Sequence, residues 1–368
     1  MRALAAVVAG ALVLPLGAAA VLGAPETGAG EAGGGEAGSW SFAEVPSAEP
    51  PAARHVVAIS IDGLRADVVT RLGPGRLPNL HRLLREGAGT LEARNLVEAT
   101  ITLPNHTSML TGRPIRLDLG GHGIAVNDDR GGTVHDAAGG YVPSVFDVVH
   151  DAGLETALYA TKPKFDLLDR TWDERHGAED GTGADDGRDK ITTYRLMSPS
   201  GAAAAVAGEL ASADPAAFTF LHLRNPDSAG HEKGWMSAAY LRAVREADRL
   251  VGEVLAAIDA SPERGADTIV VLTADHGGRR DDHSTVTRPE NYRIPFLVWG
   301  AGVPAGVELY DLNAGSRQDP GRDRIPYGGP QPIRNGEVAN LALDLLGLPP
   351  VPGSRFDAEQ DLVVTATG

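Results

Sequence analysis

The stretch His55-Val-Val-Ala-Ile-Ser-Ile61 decides the fold. It is nearly continuous in apolar, mostly β-branched residues, the pattern of a strand buried on both faces of a parallel sheet, and it stops at Asp62-Gly63. Outward from it, similar runs recur at Leu154 to Ala160, Phe218 to Leu223, Thr268 to Thr273 and Ile294 to Trp299. Segments with helical character lie between and beyond them. These are Leu77 to Glu86, Pro143 to Ala152, Ala202 to Ala211, the long amphipathic Ala238 to Ile258, and Gly336 to Leu346. Such alternation predicts an α/β fold, a doubly wound and mostly parallel central sheet with helices on both faces. The polar, Gly/Asp-rich stretches Lys162 to Asp189 and Tyr310 to Gly329 are expected as surface insertions. In open sheets of this type ligands bind beyond the carboxyl ends of the strands, so polar residues there carry the functional argument.

This folded part is expected over residues 55–350, followed by a C-terminal tail at 351–368. Met1-Arg2 and the apolar run Ala3 to Leu22, with small residues near its end, read as a secretory signal peptide over residues 1–24. The alternative is an uncleaved anchor holding the protein at the outer face of a membrane. Residues 25–54 are rich in Gly, Ala, Glu and Pro and read as a flexible linker. The mature protein is therefore expected to be secreted, with no stable membrane anchor. The 368 residues carry 33 Lys+Arg against 49 Asp+Glu, a net charge of −16, which argues against a nucleic-acid-binding surface. No residue pattern fixes an oligomeric state. Cysteine is absent, which excludes disulfides, thiolate metal sites and cysteine nucleophiles.

Three of the strands end in residue types that bind metals. The first ends in Asp62, the strand at Phe218 runs into Asn225-Pro-Asp227-Ser-Ala-Gly-His231, and the strand at Thr268 ends in Asp275-His276-Gly-Gly278, with His283 seven residues after His276. Singly, an Asp after a strand reads as a helix cap or turn residue. Asp227 and His231 could share a metal across one turn or lie in a solvated turn. Asp275-His276 is more specific, because a buried carboxylate and imidazole are costly unless paired or bound to a cation. Without thiolates, such oxygens and nitrogens are what Zn²⁺ accepts. In Ala99-Thr-Ile-Thr102-Leu-Pro104-Asn-His106, Pro104 fits the first turn of a helix and puts Thr102 at or just before its N-cap. There Thr102 reads either as a cap or as a nucleophile favoured by the positive end of the helix.

Taken together the residues resemble the alkaline phosphatase superfamily and, within it, the type I phosphodiesterase/nucleotide pyrophosphatase family. The resemblance rests on five motifs in order: Ile61-Asp62-Gly63, Thr102-Leu-Pro-Asn-His106, Gly121-His122-Gly-Ile124 leading to Asn127, Pro226-Asp227 with His231, and Asp275-His276-Gly277. It implies two zinc ions. One would be held by Asp62, Asp275 and His276 with the Thr102 oxygen, the other by Asp227, His231 and a third histidine. His283 takes that third place; it follows Asp-His-Gly-Gly closely, as in a subset of bacterial relatives, and no histidine comes after it.

The implied function is a secreted two-zinc hydrolase that cleaves phosphodiester or pyrophosphate bonds of a small phosphate ester, such as a nucleotide, through a phospho-threonine on Thr102. Asn127 and the backbone N–H after Thr102 would bond a non-bridging oxygen. Alternatives on the same core are a phosphomonoesterase, a phosphonate hydrolase or a sulfatase, although the Thr102 segment lacks the Cys/Ser and Arg of sulfatases. A phosphoethanolamine transferase and a non-catalytic binding protein are further readings. His122 is expected to shape its turn, His106 to pack near the Thr102 helix and His222 to be a satisfied core histidine. Lys162 and Lys164 read as substrate-facing or as solvated loop lysines. Phe165, Trp172 and Tyr194 could stack on a base or form a small core of their own.

Overall fold

The computed structural model describes residues 51–180 and 187–366. The expected signal segment and all but the last four residues of the linker lie outside them. Within the described residues one sheet of eight strands forms: β1 (His55–Ile61), β2 (Ala88–Arg94), β3 (Thr156–Ala160), β4 (Thr193–Leu196), β5 (Phe218–Leu223), β6 (Thr268–Thr273), β7 (Arg293–Gly300) and β8 (Val307–Glu308). Their order is β4-β3-β5-β1-β6-β7-β2-β8. Strand β1 lies inside the sheet and is buried along its whole length, as its apolar run requires. It pairs in parallel with β5 and β6, and β3 pairs in parallel with β5 and β4. Only β7 runs against its neighbours, antiparallel to both β6 and β2. The architecture is the expected doubly wound, mostly parallel α/β sheet. The reversed β7 follows from its connection, since between β6 and β7 the chain forms only the four-residue helix Pro289–Tyr292, too little for a parallel crossover.

Register places the site. Ser60 of β1 sits opposite His222 of β5 and Thr273 of β6, so the three central strands end level. Asp62, Asn225 and Asp275 therefore leave the sheet at one edge. The helix Thr102–Thr111 is buried at every position.

Several expectations need correction. Strands β2, β4 and β8 were not expected; β2 reads Ala-Gly-Thr-Leu-Glu-Ala-Arg and has almost none of the branched or aromatic residues that signal a strand. The helix expected from Pro143 begins at Val145, capped by Ser144 in a reciprocal pair with Asp147. The stretch from Lys162 is not a surface insertion, because Phe165, Leu168 and Trp172 are fully buried. Residues after 350, expected as a tail, pack back on the domain: Val351, Leu362 and Val364 are buried, and Asp357 pairs with Arg317 at 2.8 Å.

Candidate metal centre

At the level edge of the sheet, six Asp and His side chains from four chain segments converge. Asp62 follows β1, Asp227 and His231 sit one turn apart on the helix Asn225–Lys233 that starts just after β5, and Asp275-His276 follow β6. His283 arrives on the loop beyond. Asp62, Asp275 and His276 are wholly buried and Asp227 and His283 nearly so, whereas the His231 side chain is 48% exposed.

Imidazole orientation is set by backbone carbonyls. His276 Nδ1 faces the Gly277 carbonyl at 2.8 Å, His283 Nδ1 that of Thr100 at 2.5 Å and His231 Nδ1 that of Asp281 at 3.1 Å. A carbonyl only accepts, so each Nδ1 carries the proton, and each ring when neutral turns an Nε2 lone pair inward. His276 Nε2 lies 3.1 Å from Asp275 Oδ2, 3.7 Å from Asp62 Oδ1, 4.0 Å from Asp227 Oδ1 and 3.5 Å from Thr102 Oγ1. His231 Nε2 and His283 Nε2 are 3.0 Å apart, and Asp227 Oδ1 is 3.3 and 3.8 Å from them. Asp62 Oδ1, Asp227 Oδ1 and Asp275 Oδ2 are all buried without a hydrogen-bond partner. Lone pairs of three imidazoles and three orphaned carboxylate oxygens facing one space are costly unless a cation fills it. Asp62, Asp275 and His276 offer ligand atoms within 4.8 Å of one another, and so do Asp227, His276 and His283. The donors fit divalent cations, and the mix of Asp and His without thiolate suits zinc.

Charge is arranged accordingly. Burial works against ionised Asp62, but the Lys162 ammonium and the His222 hydrogen bond outweigh it and hold the carboxyl well below its ordinary range. Burial, then the Asp62 charge, pushes Asp275 well above its usual value. For Asp227 burial and the Asp62 charge are outweighed by His231 and Lys162, and the net shift is downward. Burial, then the neighbouring His283, lowers His276 to about 3, and burial lowers His283 as well.

Thr102 is the first residue of its helix; the N-cap is Ile101, one position earlier than expected, and no side chain caps the end. The Thr102 hydroxyl is thus not spent on capping. It faces His276 Nε2 and accepts from Lys162 Nζ at 3.3 Å. Asn127 Oδ1 accepts the Leu103 N–H at 3.0 Å, so the two groups expected on a phosphoryl oxygen bond each other here.

Sequence reasoning undervalued two residues. Lys162, read as substrate-facing or as a solvated loop lysine, pairs with Asp62 Oδ2 at 2.5 Å and Asp227 Oδ2 at 2.6 Å, linking the two candidate ligand sets. His222 is satisfied, as expected, but through the site: Thr161 N–H donates to its Nδ1, so its Nε2–H donates to Asp62 Oδ2 at 2.9 Å. Lys162 follows β3 as the acids follow their strands, and that position was the signal available. His106 lies where expected, its Nδ1 2.8 Å from the Thr102 carbonyl, and His122 accepts the Ile124 N–H within its turn. Phe165 and Trp172 are core, and Phe165 packs 4.3 Å from the His222 ring.

Comparison with known proteins bears on this geometry. A family model described as type I phosphodiesterase / nucleotide pyrophosphatase matches residues 56–292. Murine ectonucleotide pyrophosphatase / phosphodiesterase 5, solved as an inactive variant in complex with AMP, superposes with a TM-score of 0.57 at 16% identity, over 84% of this chain and 99% of that one. A protein of the alkaline phosphatase superfamily from Vibrio parahaemolyticus gives 0.50 at 18% identity, over 81% and 68%. GPI ethanolamine phosphate transferase 1 of Aspergillus oryzae is 30% identical over 134 residues, 35% of this chain. The matched stretch is 13% of that transferase, so the chain covers only a small part of the curated relatives it matches.

Proposed function

This chain belongs to the type I phosphodiesterase / nucleotide pyrophosphatase family, and on that premise we propose that it is a two-zinc hydrolase of phosphodiester or pyrophosphate bonds that works through Thr102. The observation that carries the reading is the convergence of three orphaned carboxylate oxygens and three inward-facing imidazole nitrogens beside an uncapped helix-terminal hydroxyl. Asp62, Asp275 and His276 would hold one ion and Asp227, His231 and His283 the other. Bound there, the ions supply charge neutralisation for phosphoryl oxygens and lower the pKa of a hydroxyl or water.

The chain's own groups do the rest. Thr102 Oγ gives up its proton to solvent and attacks phosphorus, the bond to the leaving oxygen breaks and that oxygen takes up a proton, and the phosphoryl group rests on Thr102 until water attacks the phosphorus and releases the threonine hydroxyl. The helix end that begins at Thr102 favours an anion at that position. Asn127 turns its carbonyl to the Leu103 N–H and so leaves its amide NH₂ to donate to a phosphoryl oxygen. Lys162 keeps a positive charge beside Thr102, since Asp62, Asp227 and Asp275 outweigh burial and push its pKa up.

A second reading, a phosphomonoester or phosphonate substrate, is favoured by that same ammonium, because the extra negative charge of such substrates calls for an extra cation. Murine ectonucleotide pyrophosphatase / phosphodiesterase 5, which superposes on this chain, is solved in complex with AMP, and this supports a nucleotide as the substrate under either reading. Export through residues 1–24 belongs to the proposal, and no helix among the described residues is long and apolar enough to cross a membrane.

The test is metal analysis with turnover of bis-p-nitrophenyl phosphate, p-nitrophenyl phosphate and p-nitrophenyl sulfate. The expected result is two zinc ions per chain, preference for the diester, and loss of turnover by about 10⁴-fold or more in Thr102→Ala. A monoester preference would move the assignment to the second reading. Unchanged turnover in Thr102→Ala would remove Thr102 from the reaction.

A further inference from the structure

Trp235 takes part in neither ligand set, yet the surrounding chain is shaped around its indole. The ring is 6% exposed and lies edge-on to both His231 and His283, with centroids 5.1 and 5.7 Å away. Its Nε1–H donates to the Gly63 carbonyl at 3.0 Å, while the Gly63 N–H holds Asp275 Oδ1 at 3.0 Å. One peptide segment after β1 therefore touches the indole on one side and a carboxylate of the other ligand set on the other.

Two glycines mark the space reserved for this ring. A Cβ on Gly278 would stand 2.1 Å from the indole, and one on Gly230 would stand 2.6 Å from it. Neither glycine has a positive φ, so backbone conformation does not explain them. Gly230 moreover sits inside the helix Asn225–Lys233, where glycine is unfavourable and needs a reason. The turn carrying the tryptophan is itself unusual. Trp235 stands between Gly234 and Met236, both with positive φ, and its N–H is tied to the carbonyl of Arg280, which also has positive φ. Such conformations persist only where surrounding structure enforces them.

His231 has most need of a support. It is the one half-exposed member of the six, held by a 3.1 Å bond to the Asp281 carbonyl and by contact with Asp227.

We propose that Trp235 is a positioning residue that sets the imidazoles of His231 and His283 for the second cation. The inference rests on the two-cation reading above. Groups that orient ligands in this way typically change metal affinity by about 10–100-fold when removed. Trp235→Phe keeps a ring and drops the N–H, and Gly230→Ala keeps the tryptophan but crowds it.

The experiment is zinc binding by equilibrium dialysis against buffered free zinc, with circular dichroism of the zinc-free proteins as the control for folding. The wild-type protein is expected to bind two ions. In both variants one of the two ions should lose about 10-fold or more in affinity while the other changes less than about 2-fold. Variants that bind both ions as the wild type does, or lose both equally with native-like circular dichroism, would overturn the positioning role. A wild-type protein that binds fewer than two ions would instead overturn the two-cation reading itself.

Discussion

At the scale of single residues, hydrogen-bond direction says more than proximity. His222 shows the difference: its Nδ1 accepts from the Thr161 backbone, so its other nitrogen must donate to Asp62 and hold that carboxylate's outer oxygen. The inner oxygen is the orphaned one. Replacing the ring by a side chain of similar bulk without a donor, His222→Leu, should weaken the ion held by Asp62 about 10–100-fold and leave the other nearly unchanged. Zinc dialysis checks this, and equal weakening of both ions would contradict it. The residue could not be assigned this task from sequence, because its neighbour Ser60 lies 162 positions away and the pairing exists only once β1 and β5 are in register. Asp62, Asp275 and His276 were legible because each stands at the point where an apolar run stops. Lys162 stands at such a point as well, but nothing in a single lysine distinguishes an ion pair from a solvated side chain.

At the scale of elements, long apolar strands and the amphipathic helix Ala238–Asp259 were readable because burial on both faces or on one stripe leaves a periodic trace. Edge strands β4 and β8 are short and half-exposed and leave none. The returning C-terminal segment was not readable for another reason: besides burying Val351, Leu362 and Val364, it attaches through polar contacts between residues far apart in the sequence. Arg317 reaches Glu337 Oε1 at 3.2 Å, Asp357 Oδ1 at 2.8 Å and Asp361 Oδ1 at 2.7 Å. Burial pushes Glu337 up to about 7, and burial with the Glu337 charge pushes Asp357 up to about 8.

These shifts give a stability prediction. Both folded values lie above the unfolded ones, 4.5 and 3.8, so between them the folded chain binds more protons than the unfolded chain. The stabilising contribution is therefore complete at low pH and lost as pH rises through about 8. Denaturant unfolding should show wild-type stability falling from pH 6 to pH 9, with a shallower fall in Asp357→Asn. Parallel curves for the two proteins would show that the cluster does not titrate in this way.

At the scale of the whole molecule, the architecture was legible and the interior of the site only partly so. Five short motifs pointed to the strand ends whose side chains converge. The filling between them, Phe165 and Trp172 from a stretch expected on the surface, depends on packing that no local pattern reveals. The same scale carries the cost of the site. Asp62, Asp227 and Asp275 bring three carboxyl groups into a buried space with one neighbouring ammonium, Lys162, a surplus of acid that bound cations would offset. An ion present at about 100 times its dissociation constant stabilises the fold by about 2.7 kcal/mol. For a domain of about 300 residues, removing it should lower Tm by about 4 °C. Thermal melts with and without a chelator check this; coincident melts would mean that the acids are balanced by the protein alone.

The claim that Thr102 receives the phosphoryl group can be tested on the protein itself. Acid-quenched turnover of a diester, followed by peptide mass spectrometry, should find phosphate on the peptide containing Thr102, and the modification should be absent without substrate. Full turnover with that peptide never modified, in the wild-type protein and with Thr102→Ala still active, would contradict the account.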